Sequence, residues 1–138
     1  MTVVLVDAAN VVGSRPDAWW RDRAGATGRL LTRLAALPGR TPAGPDGGPV
    51  PVTGVVVVVE GQAREVPDQD GVQLVRAPGS GDEALAATAA ELAGGDDELL
   101  VVTADRGLRA RLPGTARIAG PGWLLAALER AGEEESGG

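Results

Sequence analysis

Residues 55–60 read VVVVVE, a run of five valines that ends at an acidic residue. Two other apolar runs have the same form: residues 2–6 end at Asp7, and residues 99–102 are followed by Thr103-Ala104-Asp105. An unbroken run of β-branched residues is typical of a strand buried on both faces, since a half-exposed strand would alternate apolar and polar residues. Such strands need helices on both sides of the sheet, so the runs predict an α/β protein.

Helices are predicted between the strands. Weaker apolar runs at Val72–Val75 and Ala116–Ala119 bring the predicted strands to five. Gly25 and Gly28 are expected to split or fray the first of these helices, predicted at about Asp17–Leu37, because glycine lowers helix stability. Strands that alternate with helices indicate a parallel sheet. The predicted helices cover about Asp17–Leu37, Asp82–Ala93, Arg106–Leu112 and Trp123–Ala131.

A single domain is predicted over residues 1–132. The chain of 138 residues is long enough for one substantial hydrophobic core. Residues 38–53, PGRTPAGPDGGPVPVT, are rich in proline and glycine, so we predict a flexible connection at the sheet edge away from the site. The polar residues 133–138 are predicted to be a disordered acidic tail.

The composition excludes several kinds of catalytic site. The sequence has no Lys, His or Cys, and all 13 cationic side chains are Arg. A Walker A loop and a Schiff-base nucleophile both need Lys, and a Ser-His-Asp triad needs His. Thiolate nucleophiles and zinc clusters need Cys. Carboxylates, hydroxyls, Arg, backbone amides and metals that prefer oxygen ligands remain.

The amino-terminal residues do not resemble a signal peptide. They contain no cationic region, and Asp7 interrupts the apolar run. No apolar stretch approaches the roughly 20 residues that a membrane span needs. We therefore expect a cytoplasmic protein without a membrane partner.

Charge is segregated along the chain. The net charge is −6, yet residues 14–40 carry six Arg against two Asp, and residues 106–117 carry four Arg and no acid. Residues 60–98 carry ten acids and two Arg. The Arg-rich segments can be ordinary solvated surfaces, or they can contact phosphates, for which the guanidinium fork is suited.

Acidic residues follow the predicted strands at the points where ligands bind in parallel sheets. Asp7, Glu60 and Asp105 each follow a strand, and Asp82 and Glu83 begin a helix after Gly79-Ser80-Gly81. Clustered carboxylates repel one another unless a cation neutralises them, and Mg²⁺ and Mn²⁺ prefer such oxygen ligands. Together the acids predict a site for Mg²⁺ or Mn²⁺.

Each acid also has a structural interpretation. A polar residue is a normal end to a strand, so Asp7 and Glu60 need no further role. Ser80 and Glu83 have the spacing of a capping box, and Asp105 is placed to cap a short helix. Asn10, the single Asn of the chain, can be a turn residue in the left-handed conformation. These interpretations stay open from the residues alone.

The ordered motifs resemble those of NYN domains, a branch of the PIN-like nucleases. The segment VVLVDAANVVG, which ends at Gly13, is similar to their opening Asp-x-x-Asn, here Asp7 and Asn10. The similarity continues with VVEG at 58–61, GSGDEAL at 79–85 and VVTADRGL at 101–108. It covers roughly residues 2–125 and is greatest for the YacP-like branch, whose members act as metal-dependent RNA endonucleases.

The resemblance implies both a fold and a site. It implies a parallel sheet of order 3-2-1-4-5, which places Asp7 beside Asp105, with Asp82 reaching them from a helix. Asp7, Asp82 and Asp105 would bind the metal, Asn10 would position substrate or an acid, and Glu60 and Glu83 match further acidic positions. The implied cofactor is Mg²⁺ or Mn²⁺. The implied partner is RNA, including RNA on the ribosome.

Two classes of function remain as hypotheses. The first is a metal-dependent ribonuclease in which Arg15, Arg106, Arg109 and Ser80 contact the RNA. The second is a PIN-like module that has lost catalysis and binds RNA or a protein; the acidic net charge favours it. Other α/β phosphohydrolases fit less well, because the haloacid-dehalogenase-like pattern needs an acid at the position of Ala9 and receiver domains need a Lys.

Tryptophan is the only large aromatic residue in the chain. An exposed Trp can stack on unpaired bases, but a Trp in a chain with few aromatics is more often part of the core. We expect Trp20 and Trp123 to pack in the core and Trp19 to be the exposed one.

Overall fold

Five parallel strands form one sheet in the order β3-β2-β1-β4-β5, as the NYN resemblance implied. A computed structural model describes residues 1–14 and 21–137. β1 lies in the centre and pairs with β2 on one side and β4 on the other. The strands are β1 (Thr2–Asp7), β2 (Val52–Val59), β3 (Gln73–Arg76), β4 (Glu98–Val102) and β5 (Arg117–Ala119).

Helices cover both faces of the sheet. On one face, Val55, Val57 and Val59 pack in a cluster with residues of α1, α2 and α5, and on the other, Val56 and Val58 pack with residues of α3 and α4. The five consecutive valines are thus divided between two cores, which explains why β2 has no polar face. The helices are α1 (Ala8–Gly13), α2 (Arg23–Leu34), α3 (Gly81–Ala93), α4 (Arg106–Arg109) and α5 (Pro121–Gly137).

The first predicted helix differs from the observed structure. A short α1 follows β1 directly, and α2 begins at Arg23 and runs unbroken through Gly25 and Gly28. Gly25 does not fray the helix but allows its cap to close: its N–H donates to Asp22 Oδ1 at 2.9 Å, and a Cβ there would lie 2.2 Å from Oδ2. Arg15, Trp19 and Trp20 lie outside the described residues.

The proline- and glycine-rich segment is packed rather than loose. Val52 and Thr53, predicted to be part of the flexible connection, belong to β2, and Val50 is fully buried. The half-buried Trp123 packs against the core and donates from Nε1 to Ala43 O at 2.9 Å. Composition alone concealed these contacts. The segment does lie at the amino ends of the strands, away from the acidic residues.

The carboxyl-terminal helix is longer than predicted. α5 continues to Gly137, so most of the stretch 133–138, predicted to be disordered, is helical. In the described part of the chain, no helix is both long and apolar enough to cross a bilayer.

Candidate active site

The strand order places a crevice at the carboxyl ends of β1 and β4. From β1 the chain continues to β2 and β3 on one side and later to β4 and β5 on the other. Ligands in open parallel sheets bind outside the strand ends where the order reverses in this way. Asp7 is the last residue of β1, and Thr103 directly follows β4.

Asp7 is the central acid of this crevice. Its Oδ1 accepts a hydrogen bond from Asn10 N at 3.4 Å, which caps α1, and its Oδ2 accepts one from Thr103 Oγ1 at 3.2 Å. Burial raises the pKa of Asp7, the negative charges of Glu60 and Asp82 raise it further, and the two hydrogen bonds lower it. Within residues 1–14 and 21–137, the charged groups that act on Asp7 are both acids, and they disfavour its ionised form.

Thr103 and Asn10 join β1 to the loop after β4. The buried Thr103 hydroxyl donates to Asp7 and accepts from Asp105 N at 3.2 Å. Asn10 Oδ1 accepts from Ala104 N at 2.8 Å. Asn10 is not the left-handed turn residue of its structural interpretation, because it lies in α1 and no described residue other than glycine has a positive φ. The Asn side chain therefore fixes the loop that carries Asp105.

Asp105 has the capping role that the sequence allowed. Its Oδ1 accepts from Leu108 N at 3.0 Å and caps α4. It is connected to Asp7 through the Thr103 hydroxyl, but it is not among the charges that raise the pKa of Asp7. The predicted neighbours Asp7 and Asp105 are thus joined through hydrogen bonds to the Thr103 hydroxyl.

Glu60 holds the start of α3. Its Oε2 accepts from Gly81 N at 2.7 Å, and a Cβ on Gly81 would lie 2.6 Å from that oxygen. Ser80 Oγ accepts from Asp82 N at 3.2 Å and caps the helix, which is one half of the predicted capping box. These contacts bring Asp82 near enough for its charge to act on Asp7. Glu83 is exposed on the first turn.

The predicted phosphate-binding arginines separate into two kinds. Arg106 is exposed at the start of α4, where it is accessible to a ligand. Arg109 is half-buried and donates to Thr103 O at 2.8 Å, while its Nε is buried without a hydrogen-bond partner among the described residues. Arg109 therefore supports Thr103 through its carbonyl oxygen. Ser80 is exposed beside Asp82.

Thr103 is the site residue that sequence reasoning did not single out. It forms part of the quoted motif at 101–108, but only its position between Asp7 and Asp105 shows what the hydroxyl does. The available signal in the sequence was a hydroxyl directly after the apolar run 99–102. Thr103 is fully buried there, and a buried hydroxyl needs a hydrogen-bond partner.

The acids of the crevice are of the right chemical type to bind a divalent cation, but their side chains lie too far apart to hold one as they stand. Asp7, Glu60 and Asp82 offer carboxylate oxygens, the ligands that Mg²⁺ and Mn²⁺ prefer, and their charges interact. Within residues 1–14 and 21–137, however, no three acids are close enough to hold a metal ion as the side chains stand. A cation would therefore have to draw the carboxylates together.

Two cavities lie on either side of α1, and Ala9 borders both. The cavity toward β2, called here the β2-side cavity, has a volume of about 500 Å³ and includes Glu60 in its wall. The other, of about 460 Å³, includes Asn10 and Ala104. The crevice therefore continues on both sides of the short helix that Asp7 caps.

Comparisons with known proteins give a match in structure. No protein-family model matches the chain, and no curated protein matches it in sequence. The crystal structure of Rae1 (YacP) from Bacillus subtilis superposes with a TM-score of 0.70 at 17% identity, covering 99% of this chain and 78% of that one. A point mutant of Rae1 gives a TM-score of 0.69 at 21% identity, covering 97% and 79%. The chain therefore has the fold of Rae1 (YacP) over nearly its whole length.

Proposed function

We propose that this protein is a metal-dependent ribonuclease that hydrolyses phosphodiester bonds within RNA, using Mg²⁺ or Mn²⁺. The observation that carries the proposal is the environment of Asp7, a half-buried acid at the reversal of strand order; among the described residues, the charged groups that act on it are the acids Glu60 and Asp82. Carboxylates whose pKa is raised by desolvation and by neighbouring charges, and which lie in a crevice, are common at functional sites. The shared fold with Rae1 and the similarity of the motifs to NYN domains support the same function.

Asp7 and Asp82 are the proposed principal metal ligands. Asp105 is the third candidate, and its approach requires that one carboxylate oxygen remain free while the other caps α4. When bound, the metal supplies Lewis acidity that stabilises negative charge on the reacting phosphodiester. Glu60 is proposed to position α3 through the hydrogen bond from Gly81 N to its Oε2 and to add a further carboxylate beside Asp7. Glu83 is left as an exposed acid near the site.

The remaining residues orient these acids and the RNA. Thr103 fixes the rotation of the Asp7 carboxylate, and Asn10 fixes the loop that carries Asp105. Arg109 holds Thr103 in place by donating a hydrogen bond to the Thr103 carbonyl oxygen. Arg106 and Ser80 are exposed close to Asp105 and Asp82 and are proposed to contact the RNA backbone. Arg15 keeps its predicted phosphate contact as a proposal.

Cleavage of single-stranded RNA in Mn²⁺ tests the proposal. The wild type and Asp82→Asn are compared with Asp97→Asn, a matched control whose carboxylate is exposed just before β4, at the opposite end of the sheet. We expect Asp82→Asn to lose most of the activity and the control to retain it. Equal rates for all three proteins would show that the activity is a contaminant or that the site is elsewhere.

A binding module without catalysis is the second candidate. It is favoured by the spacing of the acids in the described residues and by the net charge of −6. Isothermal titration with Mn²⁺ distinguishes the two. Binding in the wild type that is lost in Asp7→Asn favours the enzyme, and absence of binding in both favours the module.

A further inference from the structure

We propose that the β2-side cavity is a subsite for one unpaired nucleobase of the RNA, next to the phosphodiester that is cut. The inference rests on the proposed function for the identity of the ligand. The β2-side cavity has a volume of about 500 Å³, which falls within the range of small-molecule pockets.

The lining of the cavity matches the chemistry of a base. Val12 and Ala63, both largely buried, and Ala9 supply apolar surface. Thr27 and Glu60 supply a hydroxyl and a carboxylate. A nucleobase has apolar faces and a hydrogen-bonding edge, so it uses both kinds of wall. A phosphate would leave the apolar surface unused, and the negative charge of Glu60 would oppose the attraction of Arg23 for it.

The position of the cavity connects it to the proposed reaction centre. Glu60 lines the cavity, and its charge also acts on Asp7. Ala9 lies two residues after Asp7 on α1 and is exposed. Glu60 and Ala9 therefore link the cavity to the proposed reaction centre, and a base next to a phosphate bound at Asp7 is proposed to enter the cavity.

One wall of the cavity can be filled without disturbing the fold. Gly79 lines the cavity, has no positive φ, and a Cβ there would have no heavy atom within 4 Å. Gly79→Leu is therefore expected to project a side chain into open space at the subsite. Gly114 meets the same two conditions in the α4–β5 loop, so Gly114→Leu is a matched control.

The experiment measures RNA binding without metal. A set of single-stranded oligoribonucleotides, each with one abasic nucleotide at a different position, is titrated by fluorescence anisotropy in EDTA at low salt. For the wild type we expect one position at which the missing base weakens binding roughly tenfold, the scale of one lost base contact. Gly79→Leu should weaken binding of the complete RNA by a similar factor and should no longer respond to the abasic position.

Two results would overturn the inference. One is that the wild type binds every abasic oligoribonucleotide as tightly as the complete RNA. This result is decisive even if Gly79→Leu does not fold, because it needs only the wild type. The other is a Gly79→Leu protein that binds as Gly114→Leu does. The ribonuclease proposal is judged separately, by cleavage in Mn²⁺. If the protein does not cut RNA but binds one abasic RNA more weakly, the subsite is supported and the ribonuclease proposal is not. If it cuts RNA but binds all abasic RNAs equally well, the ribonuclease proposal is supported and the subsite is not.

Discussion

The two ends of the sheet treat their acids differently. At the amino end, Asp46 Oδ1 forms an ion pair with the Arg117 guanidinium at 2.9 Å, and the Asp46 side chain is 68% exposed. At the carboxyl end, Asp7 is half-buried and receives two hydrogen bonds from neutral donors, while Glu60 and Asp82 add negative charge. An exposed ion pair contributes little to stability, and a buried carboxylate without a cation opposes folding.

This difference separates structural acids from candidate functional ones. Asp46 and Arg117 satisfy each other and need no ligand. Asp7 is held in place by the fold, yet in the part of the chain that the structure describes, both charged groups that act on it are negative. A divalent cation would supply a positive counterpart. The comparison therefore predicts that changes at the carboxyl end alter activity and that changes at the amino end alter only stability.

Asp7→Asn is expected to give the largest effect. The substitution keeps the shape of the side chain but removes its charge, so RNA cleavage in Mn²⁺ should fall by more than about 100-fold, the upper range for residues that merely support a metal ligand. Initial rates at saturating Mn²⁺ measure the loss. Asp46→Asn, at the other end of the sheet, should leave the rate unchanged; an equal loss there would remove the distinction between the two ends.

Gly81→Ala should disturb the start of α3. A Cβ at this position would lie 2.6 Å from Glu60 Oε2, so the carboxylate must move and Gly81 N loses its acceptor. We expect a cost of about 1–3 kcal/mol in the free energy of unfolding, typical of an unsatisfied buried donor. Urea denaturation measures it. Gly114→Ala, where a Cβ meets open space, is the control, and an equal effect in the two variants would contradict the positioning role of Glu60.

The pH dependence of stability should carry the sign set by Asp7. Because burial and neighbouring acids raise its pKa in the folded state, the stability that protonated Asp7 contributes is complete below the unfolded value near 3.8 and is lost as the pH rises through the folded pKa. Asp7→Asn lacks this component. The free energy of unfolding of Asp7→Asn, relative to wild type, should therefore be higher at pH 7 than at pH 4; a difference that falls with pH would reverse the assigned sign.

Asp46→Asn should have the smallest effect. It removes an ion pair between side chains that are 68% and 33% exposed, so we expect a loss of about 0.2–1 kcal/mol in the free energy of unfolding. The loss should shrink in high salt, because mobile ions screen exposed charges. Thermal unfolding at two salt concentrations measures it. A large loss would mean that Asp46 anchors the 38–51 loop more strongly than an exposed pair can.

The sequence predicted the elements that repeat a pattern. Unbroken valine runs identified the buried strands, and acids at the ends of those runs identified the edge at which Asp7, Glu60 and Asp82 interact. The order of the strands came from the NYN resemblance, since nothing in a single run indicates which strand is its neighbour. Membership of the metal site stays a prediction.

Contacts between distant residues were beyond the reach of the sequence. The bond from Trp123 to Ala43 and the burial of Val50 depend on tertiary packing, so the segment 38–53 was predicted to be flexible from its composition. The Thr103 hydroxyl joins residues 96 positions apart in sequence. The hydrogen bond from Arg109 to the Thr103 carbonyl was not visible in the sequence, and the contact of Arg109 with substrate stays a prediction.

The five valines of β2 also bear on how the chain behaves before it is folded. A run of β-branched residues with no charge is the kind of segment that pairs with copies of itself and starts fibrils when it is exposed. Pro51 precedes the uncharged stretch and Glu60 ends it, so a ring and a charge flank the segment in the way that gatekeeper residues protect aggregation-prone strands. Glu60 thus discourages self-association in the nascent chain and holds α3 in the finished one.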